Sequence, residues 1–349
     1  MSAIHGAQIP AVSVIIPARN EELSLGSCLE SLLAQTGVPF EIIVVDDHST
    51  DCTREIAASF SYREVRLVEA APLPANWTGK NNALITGAKQ ARGEWLLFTD
   101  ADTIHLPGSL NRALEEAKRR HAAMLSYSPQ QIVEGFWEKA VMPVIFAELA
   151  TTYRPSQVSN PKSPAAAANG QYILIAREAY DAVGGHSAIA DRILEDVALA
   201  RAVKRSGRKI VFRYAADAVR TRMYRNFAQL REGWTKNLAL LFPAPRRLAL
   251  LRMLEFMLIV AAIATGIASI VRAHWQPAFI SGSIGAILCI LFLARIRRAH
   301  FSWEANVLAL FGLPLFSYLL LRSNGCHQRG SVDWKGRIYS SQEPRPEPI

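Results

Sequence analysis

The chain has 349 residues, of which 50% are hydrophobic and 20% are charged, and its mean hydropathy is +0.11. This composition excludes a disordered chain, which lacks the apolar residues needed for a core. Four cysteines in a chain of this length also exclude a small disulfide scaffold. The mean hydropathy is high for a purely soluble enzyme, so membrane segments are expected.

The net charge of +9 is concentrated in the C-terminal third of the chain. Residues 243–349 hold 12 of the 39 Lys and Arg residues but only 5 of the 30 Asp and Glu residues, which gives +7. Lys and Arg gather at the flanks of membrane segments, whereas a nucleic-acid reader clusters them on its folded domain. The charge distribution therefore favours a membrane anchor and indicates no nucleic-acid partner.

Short β-branched runs alternate with helical patterns from residue 12 onward. The predicted strands are Val12–Ile16, Glu41–Val45, Arg66–Val68, Glu94–Phe98 and Ala123–Ser126. The predicted helices are Leu23–Ala34, Thr53–Phe60, Lys80–Ala91, Leu110–Arg120 and Ile193–Arg205. Such alternation is typical of an α/β fold with a mostly parallel sheet flanked by helices. The apolar stretch Phe136–Tyr153 is predicted to form either a membrane-surface helix or packed core.

Acidic residues follow two of the predicted strands. The second strand leads into Asp46-Asp47, and the fourth leads into Asp100 and Asp102. Ligands of parallel sheets bind beyond the carboxyl ends of the strands, so both pairs are expected at one edge with the loop at 17–22. A single Asp in this position is typically a turn residue or a helix N-cap. Two crowded pairs, however, persist where a cation or ligand donors neutralise them.

An Asp-x-Asp pattern suits a hard divalent cation. Mg²⁺ and Mn²⁺ take carboxylate oxygens as ligands and often bridge to a diphosphate. No predicted strand is followed by a Walker motif or by G-x-G-x-x-G, which disfavours ATP-binding and dinucleotide-binding sites with a glycine-rich phosphate cradle. A diphosphate held by the metal, and by Lys80, is the arrangement of nucleotide-sugar chemistry.

Several motifs occur in a fixed order over roughly residues 12–240. They are Val14–Glu22, Ile43–Asp51, Gly79–Leu84, Thr99–Thr103 and the pair Glu195-Asp196. As an ordered set they resemble a family 2 glycosyltransferase with the glycosyltransferase-A fold. The apolar C-terminal segments and the tail Gly330–Tyr339 resemble the membrane-bound branch that includes hopene-associated and carotenoid glycosyltransferases.

The resemblance implies roles for individual residues. The donor-binding residues it implies are Pro17, Arg19, Glu21 and Asp47 around the base and ribose, Lys80 near the base or diphosphate, and Asp100 at the ribose or ordering the site. Asp102 would ligate Mg²⁺ or Mn²⁺, and Asp196 would be the catalytic base. The residues implied on the acceptor or diphosphate side are Asn169, Gln171, Gly185, Glu195, Arg231, Trp234 and Lys236.

Two of these assignments have structural alternatives. Glu195 and Asp196 open a predicted helix, where acidic residues favour the helix dipole without any catalytic role. The stretch 229–237 departs from the Gln/Arg-x-x-Arg-Trp motif of processive relatives, because its Arg231 and Trp234 have a different spacing. It is predicted either to border the substrates or to be an interfacial amphipathic helix, and the two are compatible.

The chain is predicted to divide into three parts. Residues 1–242 would form a cytoplasmic glycosyltransferase domain, residues 243–322 the transmembrane helices, and residues 323–349 a basic tail. A span of about 30 Å needs about 20 helical residues, which the segments 248–271, 276–294 and 303–321 approach. A multi-pass protein of the inner membrane is therefore expected.

The side of the membrane occupied by the tail stays open. Arg295, Arg297 and Arg298 favour a cytoplasmic loop after the second segment, and three full spans would then place the tail outside. The basic residues of the tail favour the cytoplasmic side instead. A break at 312–314, which contains Gly312 and Pro314, would make the third segment re-entrant and return the tail to the cytoplasm.

The leading hypothesis is an inverting glycosyltransferase that moves a single sugar from a nucleotide-sugar donor to a lipid hydroxyl. A UDP-sugar is expected in preference to a GDP-sugar. One alternative is transfer to a polyprenyl phosphate, for which Asp196 is less needed because that acceptor is already anionic. The other is a non-catalytic membrane protein that binds a nucleotide-sugar.

Overall fold

The computed structural model describes residues 9–330 and 332–339, apart from the side chains of Asp333, Ile338 and Tyr339. These residues divide into two units. The first contains residues 9–132 and 153–223. The second contains residues 133–152 and the described residues from 224 onward.

The described part of the first unit contains ten strands. They are β1 (Val12–Ala18), β2 (Phe40–Asp46), β3 (Val65–Glu69), β4 (Trp95–Phe98), β5 (Thr103–His105), β6 (Met124–Ser128), β7 (Gln130–Gln131), β8 (Ile173–Ala176), β9 (Ile210–Tyr214) and β10 (Val219–Thr221). Seven of them form one sheet in the order β3-β2-β1-β4-β8-β6-β9. In that sheet β8 runs antiparallel to both of its neighbours, and the other pairs are parallel. The predicted mostly parallel sheet is confirmed.

Helices flank this sheet, as the sequence predicts. Those of the first unit are α1 (Leu25–Leu33), α2 (Thr53–Ser59), α3 (Gly79–Gln90), α4 (Ser109–Arg119), α6 (Pro155–Val158), α7 (Arg177–Ala182) and α8 (Glu195–Arg205); α5 (Phe136–Thr152) belongs to the second unit. Each predicted strand and helix between residues 12 and 128 is present with ends within two residues of those expected. The strands β8 and β9 lie outside the predicted set.

Strand register places the acidic residues at one edge of the sheet. β1 and β2 are rich in Val and Ile and largely buried, as expected of parallel strands covered on both faces. Ala18 at the end of β1 is paired with Asp46 at the end of β2, and Ile15 is paired with Phe98 at the end of β4. The residues that follow these three parallel strands therefore emerge at the same edge.

The described residues of the second unit form helices and one hairpin. Its helices are α5, α9 (Phe227–Asn237), α10 (Pro245–Val271), α11 (Trp275–Ile296) and α12 (Trp303–Gln328), and its strands are β11 (Val332–Trp334) and β12 (Arg337–Tyr339). The helices α10, α11 and α12 are long and apolar enough to cross a membrane. The stretch predicted as a surface helix or core is α5, and most of it is buried.

The expected break in the third segment is wrong, because α12 is one helix from Trp303 to Gln328 with Pro314 inside it. Gly312 has a packing function instead. A Cβ atom at Gly312 would lie 1.9 Å from the carbonyl oxygen of Ala140 in α5, so only glycine allows this approach. The glycine therefore serves the contact between two helices, and the proline is accommodated within the continuous helix.

Candidate active site

Four of the predicted donor-binding residues lie at the end of β1 or in the loops after β1 and β2. Pro17 is paired with Val45 near the end of β1. The guanidinium of Arg19 donates to the carbonyl oxygen of Asp47 at 2.7 Å, and the backbone N–H of Asp47 donates to Ala18 at 2.8 Å. Asp47 is buried, with 4% of its surface exposed. The two loops are therefore tied together at the edge where a ligand of a parallel sheet is expected.

Glu21 and its neighbours join the first loop to the start of α2. The backbone N–H of Glu21 donates to Thr53 Oγ1 at 2.7 Å. The carboxylate of Asp51 accepts the N–H of Thr53 at 3.0 Å and that of Glu22 at 3.2 Å. Burial acts to raise the pKa of Asp51, but these hydrogen bonds outweigh it and lower the pKa. Asp51 therefore serves as a turn residue, which is the structural alternative for a lone Asp.

Lys80 lies between two carboxylates. Its Nζ is 2.8 Å from Asp100 Oδ1 and 2.7 Å from Glu195 Oε1, which connects the start of α3, the end of β4 and the start of α8. Burial acts to lower the pKa of Lys80, but the two carboxylates raise it well above its ordinary value. The ammonium therefore stays charged and holds three elements of the first unit together.

Asp196 is next to this ion-pair chain and is held by backbone donors. Its Oδ2 accepts the N–H of Gly170 at 3.0 Å, and its Oδ1 accepts the N–H of Val197 at 2.7 Å. The pKa of Asp196 is raised to about 7, mainly by burial and then by the charge of Glu195. Lys80 and the two N–H groups act in the opposite direction. A carboxylate with a pKa near neutral pH is suited to general base catalysis.

Gly170 lies close to these charged groups. A Cβ atom at this position would lie 3.0 Å from Lys80 Nζ, 3.1 Å from Glu195 Oε1 and 3.7 Å from Asp196 Oδ2. A side chain here would press on the ion pair, so one of these charged groups would have to shift by a few tenths of an ångström. Gly170 is not among the predicted site residues, since nothing in a lone glycine indicates which charged residues fold against it.

Asp102 lies two residues after Asp100 at the same strand end. Its backbone carbonyl accepts the hydroxyl of Thr221 at 3.2 Å, and Thr221 is in β10 of the small sheet β5-β10-β7. Burial raises the pKa of the Cys28 thiol, and the carboxylates of Asp102, Asp100 and Glu21 raise it further. Three predicted site carboxylates are therefore close enough to the same thiol in α1 to act on it electrostatically.

The donor set fits a metal that is only partly held by protein. Within residues 9–330 and 332–339, no three His, Cys, Asp or Glu side chains are grouped closely enough to hold a metal ion. Asp100 is paired with Lys80, and Asp102 is the second carboxylate of the Asp-x-Asp pair. Mg²⁺ is typically bound by one or two carboxylates that are completed by substrate phosphates and water. The residues present match that mode.

Two predicted acceptor-side residues form an internal hydrogen-bonded turn. Asn169 Oδ1 accepts the N–H of Gln171 at 3.0 Å. The side chain of Gln171 is buried, donates to Thr221 Oγ1 at 3.2 Å and accepts from Gln131 at 3.4 Å. Through Thr221, Gln171 is connected to the Asp102 backbone.

Gly185 lies against Tyr180. A Cβ atom at Gly185 would lie 2.5 Å from the tyrosine ring, and its φ of +52° is in the left-handed region that favours glycine. The hydroxyl of Tyr180 is 2.9 Å from Nδ1 of His186. Burial, with a contribution from the charge of Lys80, lowers the pKa of His186 to about 3, so this histidine is neutral. Gly185 is therefore part of a packed corner near Lys80.

Arg231, Trp234 and Lys236 belong to α9 in the second unit. The indole N–H of Trp234 donates to the sulfur of Met142 at 3.4 Å, and its ring contacts Phe146. With 3% of its surface exposed, Trp234 is a core residue of that unit. Lys236 Nζ lies 4.9 Å from the centre of the Trp334 ring, whereas the side chain of Arg231 is exposed. Their predicted contacts with substrate remain predictions.

The model of the family described as Glycosyl transferase family 2 matches residues 13–184. A 4,4'-diaponeurosporenoate glycosyltransferase of Staphylococcus aureus strain MRSA252 is 30% identical over 95% of this chain and 88% of its own length. The chain belongs to glycosyl transferase family 2. A second enzyme of that name, from S. aureus bovine strain RF122 / ET3-1, is 29% identical over the same shares of both chains. The predicted resemblance to carotenoid glycosyltransferases of family 2 is confirmed.

A solved structure confirms the glycosyltransferase-A fold. The mannosyltransferase PcManGT from Pyrobaculum calidifontis, in complex with GDP-Man and Mn²⁺, superposes with a TM-score of 0.52 over 92% of this chain and 87% of that chain. The sequence identity is 16%, so this likeness concerns the fold. This family 2 chain therefore has the fold of a glycosyltransferase, followed by apolar helices.

Proposed function

We propose that this chain is a membrane-bound inverting glycosyltransferase that moves one sugar from a nucleotide-sugar to a hydroxyl group of a lipid. The observation that carries the proposal is the position of Asp196. Its carboxylate is partly buried, is held by two N–H groups and lies next to the chain of Asp100, Lys80 and Glu195. Family membership supplies the reaction class, and the strand-end site supplies a base for it.

The acceptor hydroxyl is a poor nucleophile until its proton is removed. Asp196 accepts that proton as the hydroxyl oxygen attacks the anomeric carbon, and the bond to the nucleoside diphosphate breaks in the same displacement. One displacement inverts the anomeric centre, and no covalent sugar–enzyme intermediate is required. Lys80 keeps Glu195 and Asp100 in place, and the N–H groups of Gly170 and Val197 fix the orientation of the Asp196 carboxylate.

Asp102 is the proposed metal ligand, with the remaining ligands from the diphosphate and water. When bound, Mg²⁺ or Mn²⁺ offsets the negative charge that develops on the leaving diphosphate. PcManGT, which shares the fold, forms a complex with GDP-Man and Mn²⁺, and this supports a metal-dependent reaction here. Removal of divalent ions with EDTA is expected to abolish transfer, and added Mn²⁺ or Mg²⁺ is expected to restore it.

Pro17, Arg19, Glu21 and Asp47 are proposed to bind the base and ribose, because they share the edge of the sheet with Asp100 and Asp102. A UDP-sugar remains the proposed donor. The apolar helices α10, α11 and α12 support a lipid acceptor and a multi-pass protein of the inner membrane. We place the glycosyltransferase domain in the cytoplasm, where nucleotide-sugars are made.

A second candidate function is transfer to an acceptor that is already ionised. The relatives' name specifies diaponeurosporenoate, and the ending of that name denotes a carboxylate. A carboxylate, or the polyprenyl phosphate considered above, needs no proton removal before it attacks the sugar. Asp196 would then position the acceptor or balance charge, and replacing it would slow the reaction less.

The test uses membranes that contain the full chain, labelled UDP-sugars and GDP-sugars, Mn²⁺ and a panel of lipid alcohols, carboxylates and polyprenyl phosphates. We expect a labelled lipid from the alcohols, which is lost in Asp102→Ala and reduced in Asp196→Asn. Labelling of carboxylates or phosphates alone would select the second candidate. Equal activity of Asp102→Ala and the unaltered chain would contradict the metal assignment.

A further inference from the structure

The segment formed by α10, α11 and α12 begins and ends on the same side of the second unit. Only residues 238–244 separate the end of α9 from the start of α10 at Pro245, so α9 marks the side from which the chain enters. Gln328, at the other end of the segment, accepts a hydrogen bond through Oε1 from Arg246 in the first turn of α10, at 2.6 Å. The last residue of α12 therefore lies beside the first turn of α10.

The tail that follows α12 contacts the same side. The N–H of Lys335 donates to Glu232 Oε1 in α9 at 3.0 Å, and Trp334 lies under the Lys236 ammonium at 4.9 Å. The ring nitrogen Nε2 of His327 is 2.8 Å from the carbonyl oxygen of Lys236. A chain that leaves from one side of a membrane and returns to that side has crossed it an even number of times. Three crossings are incompatible with these contacts.

The helix that does not cross is α12, because its contacts are with the elements at the entry side. Near its start, Glu304 is paired with Lys139 of α5 at 2.7 Å, and Gly312 lies against Ala140. Further along, the hydroxyl of Ser317 donates to the carbonyl oxygen of Ala249 in the second turn of α10 at 2.9 Å. Half of the apolar 18-residue stretch of α12 is buried, whereas 17% of the corresponding stretch is buried in α10 and 22% in α11.

The helices α10 and α11 form an antiparallel pair that extends away from these contacts. Gly266 lies opposite Ser281, and Gly285 lies opposite Ala262 and Ile263. Beyond Glu255 the pair consists of residues 256–271 and 275–294, which are about 24 Å and 30 Å long at 1.5 Å per residue. These lengths approach the thickness of about 30 Å of a bilayer's hydrocarbon layer.

Four charged side chains lie at the base of this helical pair. Arg252 and Glu255 from α10, Arg295 from α11 and Glu148 from α5 form a closed network, with Arg252 Nε 2.8 Å from Glu148 and Arg295 2.7 Å from Glu255. Four ionised groups are costly within hydrocarbon. The network therefore marks the membrane boundary, and α5 lies at that boundary.

The outer face of α12 carries a row of apolar residues from Trp303 to Leu321. Trp303, Val307, Phe311, Tyr318 and Leu321 are each at least 45% exposed and follow one another at helical spacing. The opposite face is buried against the rest of the unit. A helix with one packed face and one apolar exposed face, at the boundary level, fits the headgroup region of a bilayer.

From this geometry we infer that α10 and α11 alone cross the membrane among the described helices, while α12 lies along the surface on the side of α9. The exposed row of α12 contacts lipid, and the tail hairpin of β11 and β12 stays on the entry side. This inference rests on the membrane association proposed above and is independent of the sugar chemistry. It answers the question of the tail that the basic residues of the sequence leave open.

Single cysteines at Ala228, His274 and Arg329 test the inference in the full chain with Cys52, Cys289 and Cys326 replaced by Ser. These three positions are exposed. Sealed vesicles of both orientations are treated with a membrane-impermeant maleimide, and folding is checked by gel filtration and melting in detergent. We expect A228C and R329C to react in one orientation and H274C in the other. Reaction of R329C together with H274C, or of all three in the same orientation, would overturn the inference.

Spin labels measure the orientation of α12 independently of the reaction with maleimide. V307C and L321C are 14 residues apart on the exposed face of α12, which is about 21 Å along a helix. M257C and V271C are a matched pair with the same separation on α10, and both sites are exposed. Accessibility to oxygen and to a nickel chelate is expected to give similar depths for the α12 pair and different depths for the α10 pair. A depth difference in α12 equal to that in α10 would show that it crosses.

Discussion

The ammonium of Lys80 lies 2.7 Å from Glu195, the residue that precedes Asp196 in the chain. The same ammonium is 2.8 Å from Asp100. The proposed base therefore has an anionic neighbour whose charge is balanced by a lysine, and that lysine also reaches the Asp-x-Asp pair. This arrangement makes the ionisation of Asp196 sensitive to both Lys80 and Glu195, with opposite signs.

The first prediction concerns the pH dependence of transfer to a hydroxyl acceptor. Burial and Glu195 raise the pKa of Asp196 to about 7, so the carboxyl is protonated below that pH and cannot act as a base. We expect kcat/KM to fall about tenfold for each pH unit below 7 and to level off above it. The measurement is the pH profile of initial rates between pH 5 and 9, with melting curves over the same range. A flat profile from pH 5 to 7 in a folded protein would contradict the role of Asp196.

Replacement of the base gives the second prediction. Asp196→Asn keeps the size of the side chain but removes proton acceptance, so kcat is expected to fall by roughly 10² to 10⁴. Asp191→Asn is the matched control, because Asp191 is exposed and its carboxylate pairs with the adjacent Arg192 at 3.3 Å. The control is expected to keep normal activity. The residual rate of Asp196→Asn is expected to lose the acid limb of the pH profile, which is the fall in rate below pH 7.

Lys80 and Glu195 are predicted to shift the pH profile in opposite directions. Glu195→Gln removes a charge that raises the pKa of Asp196, so the acid limb moves to lower pH. Lys80→Met removes a charge that lowers this pKa, so the limb moves to higher pH and activity at pH 7 drops. Lys89→Met, at the exposed end of the same helix, is the control and is expected to leave the profile unchanged. Shifts of the same sign in both variants would show that Asp196 is not the titrating group.

A methyl group at Gly170 is predicted to disturb the ion pair. In Gly170→Ala the new Cβ would lie 3.0 Å from Lys80 Nζ and 3.1 Å from Glu195 Oε1, so one of these side chains must move. Because both are charged ends of side chains, we expect kcat to fall at least about tenfold while the melting temperature changes little. Gly26→Ala in α1 is the control, since its Cβ would be in ordinary contact, 3.9 Å from Ile56. Normal activity of Gly170→Ala would show that the spacing of the ion pair is not critical.

The sequence predicts those parts of the molecule in which local pattern and tertiary structure agree. The parallel strands β1, β2 and β4 are mostly apolar, and the acidic residues at the ends of β2 and β4 lie at the expected edge. The short run Ile173–Ala176 has the same apolar character, but it follows no helix of the alternating pattern. It pairs antiparallel between β4 and β6, and this arrangement depends on residues distant in sequence.

The site shows the same division between local and distant information. Asp100, Asp102 and Asp196 are indicated by their positions after strands or at a helix start. The places of Gly170 and Gln171 follow from contacts across 26 and 50 residues, with Asp196 and Thr221, which no spacing rule encodes. In α12 the local signal of Gly312 and Pro314 predicts a break, but packing against Ala140 explains the glycine within a continuous helix.

The last prediction concerns the charged network of the second unit. The Glu148 side chain is 7% exposed and forms ion pairs with both Arg252 and Arg295. In Glu148→Gln, Glu255 is the one carboxylate of this network that remains for the two guanidinium groups. We expect a loss of roughly 2–3 kcal/mol in the free energy of unfolding in detergent. Glu304→Gln is the control, because Glu304 is 64% exposed and its pair with Lys139 should contribute less than about 1 kcal/mol. The double variant Glu148→Gln/Arg295→Gln removes one charge of each sign and is expected to be more stable than Glu148→Gln alone. If the destabilisation of the double variant equalled the sum of the two single-variant effects, uncompensated charge would not be the cause of the loss.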